Sequence, residues 1–100
     1  MKFIENVFVS GIDDTKTVFY SLKKNIPLFN IYLVLVDKEK KSVILSSYEY
    51  FKNDNYKDMY TAAVCSGKYN AYRVYEEMIK YAIKNNWNIS DIGRNLIAEK

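Results

Sequence analysis

Residues 57–84 read KDMYTAAVCSGKYNAYRVYEEMIKYAIK, and this stretch decides the fold. Lys57 to Ser66 is a run of Tyr, Thr, Ala and Val that Gly67 closes, the pattern of a strand ended by a turn. Ala71, Val74, Tyr75, Met78 and Ala82 then recur at i, i+3, i+4, i+7 and i+11, opposite Arg73, Glu77, Lys80 and Lys84. A strand, a Ser-Gly turn and an amphipathic helix are therefore expected in that order. The helix fades at Asn85-Asn86, whose short polar side chains suit a helix end.

The same order stands earlier in the chain. Phe3 to Ser10 reads as a strand that Gly11 terminates, and Asp13 or Asp14 can accept hydrogen bonds from the first free amides of a helix. Val18, Phe19, Leu22 and Ile26 make its apolar stripe, and Pro27 stops it, which bounds a helix at about residues 13–25. Phe29 to Val36 is nearly continuous in apolar residues, as in a strand buried on both faces. Asp37 to Lys41 is a polar turn, and Ser42 to Phe51 completes a hairpin. The polar stretch 52–58 connects the two halves. After Trp87 and a turn around Asp91 to Gly93, Arg94 to Ala98 is expected to be a last short strand.

A shift of 56 residues lays Val9-Ser10-Gly11 on Cys65-Ser66-Gly67, Val18-Phe19 on Val74-Tyr75 and Leu22 on Met78. The expectation is one α+β domain over residues 1–100, with half-repeats at about 1–51 and 57–100. Two helices related by pseudo-two-fold symmetry would lie on one face of an antiparallel sheet, and the second half, with room for one strand after its helix, would be truncated.

Composition narrows the function. At 49% hydrophobic and 27% charged residues the chain is balanced like a globular domain, and its longest apolar run, Ile31 to Val36, falls far short of the roughly 20 residues that cross a bilayer. No membrane partner is expected. Seven bases face six acids in residues 1–50 and eight face six in 51–100, too even a mixture for a nucleic-acid stripe. The single cysteine, Cys65, and an N-terminus without a secretory leader point to the reducing cytoplasm. Histidine is absent, which removes the commonest general base and metal ligand together, so no catalytic residue, metal or cofactor is assigned. Ten tyrosines and five phenylalanines fit either half-buried strand positions or an aromatic-lined binding surface.

The second half resembles the GyrI-like family of bacterial effector-binding domains. The residues that carry the likeness are Tyr60 to Tyr69, then Tyr72 to Ala82, then Asn85-Asn86-Trp87-Asn88-Ile89. The resemblance implies two helices flanking a cleft that takes hydrophobic or cationic small molecules against aromatic walls and a carboxylate. The chain departs from the family's pattern at its end, where the family's last strand, which commonly carries that carboxylate, is expected to be missing. No helix-turn-helix is expected before the module.

On this footing the ligand-binding candidates are Tyr69 and Tyr72 at the mouth of the second helix, Trp87 beyond its end, and Glu49 between Tyr48 and Tyr50. Period-two alternation on a strand sends Glu49 and its two tyrosine neighbours to opposite faces, so only one of those sets can line a cleft. Each candidate has a plainer alternative. Glu49 can be an edge-strand charge, Tyr69 and Tyr72 packing over the helix start, and Trp87 a core or rim anchor. Cys65 reads as an inert small hydrophobe, and Gly11 and Gly67 as turn glycines.

The function expected is a stand-alone small-molecule-binding module. The alternative is a protein-interaction module acting through an exposed sheet edge or as an inhibitor of a partner protein, and an open edge would also favour a homodimer. A small-molecule hydrolase, as some relatives in the family are, comes last because no Glu–Tyr pair can be assigned.

Overall fold

Alternation along two apolar strands separates the core into two layers. In the computed structural model, which describes residues 1–39 and 42–98, Ile31–Val36 forms β2 and Tyr60–Ser66 forms β4. Leu33, Leu35 and Val64 face one layer, while Val34, Val36, Ala63 and Cys65 face the other. Both strands are buried on both faces, as their unbroken apolar runs predict.

Around them the order is β1-β4-β2-β3, with β1 at Lys2–Ser10 and β3 at Ser42–Ser46. β2 runs antiparallel to β3 and β4, but β1 runs parallel to β4. The sheet is thus mixed, which corrects the antiparallel sheet expected. The reason is topological: β1 and β4 are separated by a helix and a hairpin, and only such a long connection can return a chain parallel to its start.

Helix α1 (Thr15–Lys23) begins at Asp14, whose carboxylate accepts from the Thr17 amide at 3.1 Å and the Thr17 hydroxyl at 2.7 Å. Those bonds hold the Asp14 carboxyl below its ordinary range. Helix α3 (Lys68–Lys84) follows Gly67 directly. Gly11 and Gly67 both adopt left-handed backbone, at φ 74° and 83°, which explains a glycine at each turn. The helices end alike. Asn25 and Asn86 stand at φ 63° and 60°, and the next residue reaches back, Ile26 to the Ser21 carbonyl and Trp87 to the Ala82 carbonyl.

The two principal helices lie on opposite faces. Leu22, Val18 and Phe19 of α1 pack with Leu33 and Leu35, whereas Ala71, Val74, Met78 and Ala82 of α3 pack with Val34, Val36 and Cys65. Two helices on one face, with a cleft between them, is therefore corrected. A sheet with apolar side chains on both surfaces needs a helical cover on each.

Two shorter helices replace predicted strand. Residues 47–51, read as the end of the hairpin, belong to α2 (Ser47–Lys52), and the expected last strand is α4 (Ile92–Ala98). α4 packs Ile92 and Leu96, one turn apart, beside Ile4 and Met78. The basic turn at 38–41 lies partly outside the described residues.

The parallel pair carries a wide irregularity. Phe3 pairs with Thr61 and Phe8 with Ala63, so residues 4–7 of β1 stand against Ala62 alone. Such bulges bend an edge and break its pairing pattern. Among the described residues the Thr61 hydroxyl beside this bulge is buried without a hydrogen-bond partner.

Candidate functional site

Helix α3 crosses its face of the sheet beside β1, and the space between them is a groove of about 500 Å³. Its walls alternate by chemistry. Phe8 and Val9 of β1 and Val74 and Tyr81 of α3 supply apolar surface, with the Phe8 and Tyr81 rings edge to face at 6.1 Å. Arg73, Glu77, Lys80 and Lys84 follow one another along the rim at helical spacing. Glu77 and Lys80 approach at 3.6 Å, and the Arg73 guanidinium lies over the Tyr69 ring at 5.9 Å. Lys84 has no ion pair among the described residues. One anion against three cations makes the rim positive.

β1 is an edge strand, so among the described residues alternate backbone N–H and C=O groups along its outer side have no strand beside them. The two ends of the strand differ. Residues 4–7 are bulged and include the charged Glu5, two features that discourage strand addition. Phe8, Val9 and Ser10 run in regular register with Ala63, Val64 and Cys65, and Val9 is 41% exposed. The open part of the edge is thus the part that lines the groove.

The sequence candidates fall in different places. Tyr48, Glu49 and Tyr50 ride on α2, not on a strand. The Ser46 side chain caps that helix by accepting from the Glu49 amide at 3.2 Å, and Glu49 lies in its first turn, where a carboxylate favours the helix dipole. Tyr50 is buried in the α1 layer, edge to face with Phe51 at 5.0 Å, and burial raises its phenol above the ordinary value. Tyr69 and Tyr72 stand on the first turns of α3, 75% and 51% exposed. Glu49 and this pair leave the sheet at the same end, where β3 and β4 finish, but on opposite faces. Trp87 packs edge-on against Tyr81 at 5.4 Å, past the far end of a 17-residue helix that is about 25 Å long.

Among protein-family models, curated proteins and solved structures, nothing matches this chain.

A second cavity of about 510 Å³ lies on another part of the molecule, lined by Met1, Tyr50, Phe51, Asp54 and Lys57 among others. Among the described residues no group of three or more His, Cys, Asp or Glu could hold a metal ion, and no helix is long and apolar enough to cross a membrane. Cys65 is buried, and burial pushes its thiol up to about 11, which keeps it a poor nucleophile. None of the residues lining the groove was among the ligand-binding candidates read from the sequence. The charged stripe on α3 was visible in the sequence, but nothing there placed β1 at the edge beside it.

Proposed function

We propose that the protein is a protein-interaction module that receives an extended peptide segment along the outer edge of β1, under α3. The observation that carries this reading is the coincidence of the stretch Phe8–Ser10, in regular register with β4 on its inner side and without a neighbouring strand among the described residues on its outer side, with the floor of the groove. Main-chain bonds from an added strand give affinity of low specificity, and the helix above supplies side-chain pockets that discriminate. The test is an amide spectrum recorded with and without an extended peptide that binds. Shifts and new hydrogen-exchange protection at residues 8–10, with shifts along α3, are expected. Binding that leaves residues 8–10 unchanged overturns the reading. Trp87 gives a second signal, because it touches Tyr81 in the groove wall and is the only tryptophan.

A specific observation supports small-molecule binding as the second reading. Tyr50, one of the residues the GyrI-like resemblance brought forward, lines the separate cavity with Phe51 and Asp54, an aromatic pair beside a carboxylate that pairs with Lys57 at 3.3 Å, so a hydrophobic cation bound there would take the place of the Lys57 ammonium. Lipophilic cations that shift Tyr50 and Phe51 resonances would favour it, and a panel that shifts neither would remove it. A homodimer through paired β1 edges in the cytoplasm is a form of the first reading, and light scattering at high concentration distinguishes it from capture of another protein.

A further inference from the structure

The rim charges specify what kind of segment the β1 edge accepts. Lys80 is engaged by Glu77, which leaves Arg73 and Lys84 as the cations at the two ends of the groove without a carboxylate partner among the described residues. They are eleven positions apart on α3, so about 16 Å along its axis at 1.5 Å per residue. A strand advances about 3.3 Å per residue and sends alternate side chains to the same face. Residues i and i+4 of an added strand therefore share the groove face about 13 Å apart, a difference that the long Arg and Lys stems can take up. Residue i+2 on the same face would sit over the apolar middle, Phe8, Val74 and Tyr81.

Resting on the strand-addition reading above, we infer that the partner is an acidic extended segment with carboxylates at i and i+4 and an apolar residue at i+2. The chemistry on each side is matched. The guanidinium of Arg73 and the ammonium of Lys84 meet a carboxylate each, and the central aliphatic side chain covers surface that the Phe8 and Tyr81 rings leave open. A basic segment would place like charges against both ends of the rim.

Three capped pentapeptides test this: Glu-Thr-Val-Thr-Glu, its isomer Thr-Glu-Val-Glu-Thr, and Lys-Thr-Val-Thr-Lys. Binding is read by Trp87 fluorescence and by amide shifts at residues 8–10. The first peptide is expected to bind about tenfold more tightly than the isomer, whose carboxylates face away from α3 when its valine faces the groove. The lysine peptide is expected to bind more weakly still. In the double variant Arg73→Gln/Lys84→Gln, both exposed sites, the preference for the first peptide is expected to vanish, as it is in high salt. Equal binding of all three peptides, with residues 8–10 shifted, overturns the acidic pattern and leaves strand addition standing. Equal binding of the two acidic isomers overturns the i, i+4 spacing. If no peptide moves residues 8–10 at millimolar concentration, both the pattern and the strand-addition reading fall.

Discussion

The Ser47 hydroxyl closes on both backbone groups of one distant residue: it accepts from the Leu28 amide at 2.9 Å and donates to the Leu28 carbonyl at 2.8 Å. Ser47 is fully buried at the start of α2, so these two bonds pin the loop after α1 to the end of the hairpin. Removing the hydroxyl leaves an N–H and a C=O without their partner in a place water reaches poorly. Ser47→Ala is expected to lower stability by about 1–3 kcal/mol. An unchanged urea midpoint would show that the clamp carries no net stability.

Gly93 lets α4 settle against the end of β2. A Cβ built there runs into the Asp37 carbonyl oxygen and comes within 3.1 Å of the Val36 Cβ. Since the obstacle is backbone, a rotamer change cannot relieve it. Although alanine is the better helix former, Gly93→Ala is expected to destabilise by about 1–3 kcal/mol through overpacking. A thermal midpoint at or above that of the parent would mean that α4 can shift outward without loss.

Cys65 predicts an alkaline weakness. Its thiol has an ordinary value of 9.0 when unfolded and is pushed to about 11 in the folded chain, chiefly because burial disfavours the thiolate, against an opposing hydrogen bond from the Ser10 backbone. Between those values the unfolded chain loses the proton while the native chain keeps it, so stability falls as pH rises from 9 towards 11. Comparison with Cys65→Ala isolates the contribution of this thiol. The stability difference between parent and variant is expected to shift in the variant's favour across that interval. A constant difference would count against a protonated native thiol.

The strands at 31–36 and 60–66 and the helices at 15–23 and 68–84 were legible because their signals are local: apolar runs, 3.6-residue stripes, Asp14 as cap, Gly11 and Gly67 as turn residues. The two errors of type have readable causes. Ser46-Ser47-Tyr48-Glu49 is a Ser-x-x-Glu helix start, a signal outweighed by the alternation that Val43, Leu45 and Ser47 set up. Ile92 and Leu96 carry an i, i+4 spacing too short to outweigh an apolar run that suits a strand equally well. Strand order and helix side were not legible, because both depend on how distant segments meet. The candidate ligand residues inherited that gap: Tyr69 stands at the start of α3, Trp87 lies past its far end, and Glu49 lies across the sheet from both.

The parallel pairing of β1 with β4 also has a consequence for the nascent chain. β2 and β3 meet across a short turn and can zip as soon as both have emerged, whereas Phe3 must wait for Thr61 and Phe8 for Ala63. During synthesis β1 emerges before β2 and β3 yet finds its neighbour only after they can pair, and the apolar Phe8 and Val9 travel bare until β4 arrives. A chain stalled before Tyr60 would present that strand with both edges open, the form in which a holding chaperone or an unwanted second copy would meet it.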